Sequence, residues 1–123
     1  MLDRCKMMAF LATRDGRRAR AFYETTLGFT VLSDDGFALA LDAGGTMLRI
    51  QKVDSFDAHP FTALGWEVPD IDRAVEQLAA AGVAFEHFGG LDQNDRGVWR
   101  SPSGARVAWF KDPDGNTLSL TQI

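Results

Sequence analysis

The chain has 123 residues, 46% hydrophobic and 24% charged, with a formal net charge of −4. This suits one compact domain with a real core, and the absence of a dense basic run beyond the Arg and Lys of the first twenty positions argues against a nucleic-acid partner. The single cysteine, Cys5, excludes an internal disulfide, and the lack of both a long apolar run and a signal-peptide core predicts a cytoplasmic chain that does not enter a membrane.

The short apolar run Met7 to Thr13 predicts a buried strand. A helix follows from about Asp15, with Ala19, Phe22, Tyr23 and Leu27 on one face, and Gly28 supplies its left-handed C-cap. Phe29 to Leu32, Phe37 to Leu41 and Met47 to Lys52 read as three strands, with Asp34-Asp35-Gly36 as a hairpin turn between the first two. Residues 54 to 60 read as a linker. Phe61 to Val68 restarts the pattern as a strand. Asp70 is a good N-cap, Ile71, Ala74, Val75 and Leu78 form a buried stripe, and Gly82 ends this second helix. Val83 to Phe88 is expected to be a strand and Gly89 to Arg96 a mobile loop. Val98 to Arg100, Arg106 to Lys111 and Thr117 to Thr121 complete the strands, separated by turns at Pro102-Ser103-Gly104 and Asp112-Pro113-Asp114-Gly115-Asn116.

The two halves repeat. Leu41-Asp42-Ala43-Gly44-Gly45-Thr46-Met47-Leu48-Arg49-Ile50 aligns without a gap on Lys111-Asp112-Pro113-Asp114-Gly115-Asn116-Thr117-Leu118-Ser119-Leu120. The reading is therefore an α+β fold built from two βαβββ modules, about 6–53 and 61–123, within a single domain spanning 1–123. Paired units of this kind form a curved mixed sheet with a concave ligand cavity.

Ala21-Phe22-Tyr23-Glu24-Thr25-Thr26-Leu27-Gly28-Phe29 resembles the helix-to-strand signature of the vicinal oxygen chelate superfamily, which includes glyoxalase I, extradiol dioxygenases and bleomycin-resistance proteins. Lys111 to Leu120 resembles its C-terminal signature. The resemblance implies paired βαβββ modules in a homodimer, with cavities on the concave sheets. It also implies where a catalytic metal would be held, by one ligand from the first and last strand of each module. Those positions fall on Met8, Arg49, Ala63 and Ser119. None is a competent ligand for a divalent metal, and Arg49 is a fixed cation. His59, His87, Gln51 and Glu67 offer too few alternatives in any one register. No metal and no other cofactor is expected, and the chain resembles the metal-free, bleomycin-resistance-like members.

Strand alternation assigns the cavity face. Ser119, Thr117 and Thr121 share one side of the last strand. By the repeat, Met47, Arg49 and Gln51 share the equivalent side, as do Met8, Phe10 and Ala12 of strand one. Three tryptophans and nine phenylalanines are many for this length. Trp99 and Trp109 flank the turn at 102–104 and are the stacking candidates, with Phe37 and Phe88 behind them. Arg49, if unpaired, would hold an acidic group; a salt bridge to Glu67 or an aspartate would cancel that role.

No phosphate loop or nucleophile elbow is present. The sequence therefore points to sequestration of a hydrophobic, aromatic small molecule by Met8, Phe10, Phe37, Met47, Arg49, Gln51, Phe88, Trp99, Trp109 and Ser119, with no catalytic residue. One alternative is a metal-free isomerase, cyclase or lyase using Glu67 or His59 as base and Arg49 against a developing oxyanion. The other is a metal-dependent glyoxalase-like or dioxygenase-like enzyme.

Overall fold

Two aspartates open the two main helices in the same way. Asp15 (φ −144°, ψ 97°) accepts a hydrogen bond from the Arg18 backbone N–H, and Asp70 (φ −144°, ψ 96°) accepts one from that of Arg73. Each satisfies a first-turn donor that has no partner within its helix. A computed structural model describes residues 1–123 and divides them between Asp57 and Ala58 into two compact units.

In the first unit, β1 (Met8–Thr13), β2 (Thr30–Asp34), β3 (Ala38–Asp42) and β4 (Met47–Lys52) form one sheet in the order β1-β4-β3-β2. β1 runs parallel to β4 in the register Met8↔Met47 to Thr13↔Lys52, and the other pairs are antiparallel. The expected single helix is two pieces. α1 (Gly16–Arg20) passes directly into a π-helix over Ala21–Thr26, where the Leu27 N–H reaches back five residues to the Phe22 carbonyl at 2.9 Å. The wider turn keeps Ala19 and Tyr23 fully buried but leaves Phe22 and Leu27 half-buried. Gly28 (φ +81°) then turns the chain into β2. Tyr23, Leu39, Leu41, Leu48 and Ile50 are the fully buried heart of this unit.

In the second unit, β5 (Thr62–Glu67), β6 (Trp99–Arg100), β7 (Arg106–Lys111) and β8 (Thr117–Gln122) follow the order β5-β8-β7-β6, again with first and last strands parallel. α2 (Ile71–Ala80) buries Ile71 and Val75, on the stripe its periodicity predicts. Phe110, Leu118, Leu120 and Ala108 form the buried sheet face, and Phe85 meets Phe110 edge-on at 5.6 Å.

Two expectations need correction here. Val83 to Phe88 is not a strand: it touches β7 at one bridge, Phe85↔Phe110, with the Glu86 N–H on the Trp109 carbonyl. The rest of that edge of β7 is taken by β6, so the fourth strand is shared between two segments. Residues 89–96 are also tied down rather than free of contacts. The Gln93 side chain accepts from the Phe88 N–H and donates to the Glu86 and Gly97 carbonyls, and Asn94 Oδ1 accepts from the N–H groups of Arg96 and Val98.

Charge pairs join helix to sheet within each unit. Asp34 takes Lys52 and Arg20, and Asp72 takes Arg106 through two hydrogen bonds of 2.7 and 2.8 Å. The Lys52 ammonium first, and the Arg20 guanidinium second, hold the Asp34 carboxyl below its ordinary range, and Arg106 does the same for Asp72. A carboxylate whose folded pKa is lowered binds fewer protons folded than unfolded, so its stabilising contribution is present above the unfolded pKa and is lost as pH falls through the folded one. Urea midpoints should therefore decline below about pH 4. A protein carrying both Asp34→Asn and Asp72→Asn should show a shallower decline. Parallel midpoint curves for the two proteins would remove these pairs from the acid response.

Candidate functional site

The helix packs on one face of each sheet; the opposite face carries eight of the ten predicted site residues, all but Phe37 and Phe88. In the first unit the ladder sets three rows on this open face. They are Met8, Met47, Asp42 and Thr30; then Phe10, Arg49, Ala40 and Ser33; then Ala12, Gln51 and Ala38. Met8, Phe10 and Met47 remain 45%, 55% and 38% exposed. These apolar side chains lie on adjacent rows of one sheet face instead of being scattered singly. Arg49 lies half-buried among them and makes no ion pair or side-chain hydrogen bond. No aspartate of its own unit forms a salt bridge with it. Phe37 is 80% exposed and sits just before β3, where its carbonyl accepts the Lys52 N–H at 2.8 Å.

In the second unit the corresponding rows are Thr62, Thr117 and Lys111; then Gly65, Ser119 and Trp109; then Glu67, Thr121, Val107 and Trp99. Trp109 is the centre of this surface. Trp99 lies against it at 5.9 Å with the rings tilted by 35°, and Phe88 meets it edge-on at 5.5 Å. The Trp109 indole N–H donates to Thr62 Oγ1 at 3.1 Å, which fixes the ring plane. Both tryptophans are half-buried, leaving part of each ring uncovered. Thr62 was not among the predicted residues. The alternation that selected Ser119 also selects it, once the β5–β8 register is known.

Ser119 lies on the expected face but is buried, so it is not presented as an open polar contact. The space beside it is tight: a Cβ at Gly65 would stand 2.4 Å from Ser119 Oγ. The ten predicted residues thus divide into two groups. Met8, Phe10, Phe37, Met47, Arg49 and Gln51 belong to the first unit, and Phe88, Trp99, Trp109 and Ser119 to the second.

Donor chemistry tests the metal that this type of fold can carry. The four positions expected to hold it are a thioether, a guanidinium, a methyl and a hydroxyl; Ala63 falls where the β5–β8 register shifts between Thr62 and Leu64. No three His, Cys, Asp or Glu side chains come together in either unit. This set does not fit a divalent cation. His59 stacks on Phe61 at 5.0 Å, away from these rows in the ladder. Two depressions on the second unit, one of about 330 Å³ bordered by Asp92, Asn94, Arg100 and Arg106 and one of about 400 Å³ bordered by Pro69, Asp70 and Arg73, do not include the tryptophans.

Two βαβββ units with these open faces define the class, and comparison with known proteins agrees. Residues 2–120 match the family model of the Glyoxalase/Bleomycin resistance protein/Dioxygenase superfamily, and the chain belongs to that family. It is similar to a bleomycin-binding protein solved in complex with bleomycin (26% identity, TM-score 0.75, covering 96% of this chain and 98% of that one). It is also similar to a bleomycin resistance determinant encoded on the transposon Tn5 (25% identity, TM-score 0.75, 95% and 96%). A lactoylglutathione lyase from Agrobacterium tumefaciens shares the fold (20% identity, TM-score 0.73, 96% and 93%). No curated protein is significantly similar in sequence. No helix is long and apolar enough to cross a membrane.

Proposed function

We propose that this chain is a metal-free protein that binds a hydrophobic, aromatic small molecule and withholds it from its target, acting as a cytoplasmic homodimer. The observation that carries the reading is the Trp109 surface: two half-buried indoles and a phenyl edge, held in place by Thr62, with no metal-binding donor set beside them. Such a surface binds flat apolar rings by stacking and area burial. The likeness to a bleomycin-binding protein supports sequestration. The second copy would close the exposed apolar side chains of the open faces into a cavity. A metal-free enzyme is the second reading, supported by Glu67, an exposed carboxylate in the same row as Trp99.

An apolar aromatic ligand should quench tryptophan fluorescence. Trp109→Ala should weaken its binding by about 1–3 kcal/mol, roughly fivefold to more than a hundredfold. The ligand should be recovered unchanged after incubation, from protein carrying no stoichiometric Fe, Mn, Ni or Zn. Unaltered binding in both Trp99→Ala and Trp109→Ala would remove the site assignment. Conversion of the ligand would favour the enzyme.

A further inference from the structure

We infer that the open face of the first unit selects aromatic ligands that carry a negative charge, through Arg49. The inference rests on the small-molecule reading above and names its ligand class. Arg49 is the only basic side chain in the three open-face rows of this sheet. The one acid in those rows, Asp42, is turned to its own loop, where Oδ1 accepts the Gly45 N–H at 2.7 Å. Asp35 feels the Arg49 charge without a salt bridge to it, and its Oδ1 accepts the N–H groups of Phe37 and Ala38.

Four other cations beside these sheets are matched, and Arg100 on β6 is unpaired but exposed. Arg20 and Lys52 hold Asp34, Arg106 holds Asp72, and Lys111 holds Glu86. Arg49 is half-buried beside Phe10, between the Met8–Met47 and Ala12–Gln51 rows, and forms no salt bridge within its unit. A cation partly removed from water favours an anion brought to it, and a guanidinium meets a carboxylate or sulfonate through two parallel hydrogen bonds. Phe10 and the methionines would take the apolar body of the same molecule. The ligand class is therefore an aromatic ring system with an attached carboxylate, sulfonate or phenolate. A ring bearing only positive charge would be repelled.

Two fluorescent probes with one ring system separate charge from ring. Anilinonaphthalene sulfonate carries the anion, and phenylnaphthylamine lacks it. The full-length protein should bind the sulfonate roughly tenfold more tightly than the amine, the value of one hydrogen-bonded charge pair. Arg49→Met should erase that preference by weakening the sulfonate alone, and Arg49→Lys should keep part of it. Arg100→Met, on the other unit, should leave it intact. The preference surviving in Arg49→Met, or equal loss of both probes there with the circular dichroism unchanged, would overturn the inference. So would a shift toward monomer in sedimentation of Arg49→Met, which would place the counter-ion of Arg49 in the second copy. Equal binding of both probes by the parent protein removes charge selection but leaves the small-molecule reading standing. Binding of neither probe overturns that reading, and the inference with it.

Discussion

Phe110→Ala is expected to lower the unfolding free energy by about 3–5 kcal/mol, the usual cost of deleting a fully buried phenyl ring. Phe110 has no exposed surface, pairs with Leu118 across the ladder and receives the edge of Phe85. Its loss removes the ring's transfer energy and leaves a cavity that β7 and β8, locked in register from Arg106↔Gln122 to Lys111↔Thr117, cannot close by shifting. All three tryptophans lie in the second unit, so their fluorescence during urea titration reports this unit alone. Trp109→Ala, one position away but on the open face and half-buried, should cost less stability while costing binding. If Phe110→Ala falls within about 1 kcal/mol of the parent, the ring is not packed as described.

The second large effect lies in the repeated turn. Asp112 is buried, and its carboxylate accepts hydrogen bonds from the N–H groups of Asp114 and Asn116 at 2.9 Å each and from Asn116 Nδ2 at 2.8 Å. Asp112→Ala strands those donors where water reaches them poorly. The expected loss is about 2–4 kcal/mol. Its counterpart in the first unit, Asp42, is exposed and accepts one bond, from the Gly45 N–H. Asp42→Ala leaves a donor that water can satisfy, so the loss should be about 1 kcal/mol or less. Differential scanning calorimetry of both variants checks the contrast. Equal losses would mean that the two turns are equivalent in energy as well as in sequence.

That contrast shows how far the repeat could be read. The alignment of Asp42 to Ile50 on Asp112 to Leu120 placed Gly45 and Gly115 in matching turns, and both adopt positive φ, +97° and +88°. The same alignment put Leu48 and Leu118 in fully buried positions. These features depend on near neighbours in the chain, which is why they are legible. Exposure is different. Alternation placed Ser119 in a row with Gly65 and Trp109, but its burial involves the close approach of Gly65, which is distant in sequence. The failure over Val83 to Phe88 has a similar origin. The run is apolar enough for a strand, yet β6 competes for the same edge of β7. The π-helix was hidden for a different reason. Ala19 and Tyr23 suit an α-helix and a π-helix equally, and only the hydrogen bond from Leu27 to Phe22 distinguishes them. For the candidate site, the two tryptophans were readable individually, but Thr62 and the freedom of Arg49 depend on partners that only the folded sheet brings together or keeps apart.

The parallel pairing of first with last strand carries a kinetic consequence. Met8 must find Met47, and Thr62 must find Thr117, so each sheet is completed only by closing a loop of about 40 or about 55 residues. The antiparallel neighbours need no such closure and can zip locally. During synthesis the first sheet has every strand it needs once Lys52 has left the ribosome, while β5 must wait for almost the whole remaining chain before β8 exists. Until then β5 is an exposed, unpaired strand, and the second half of the molecule is the half that a chaperone would have to protect.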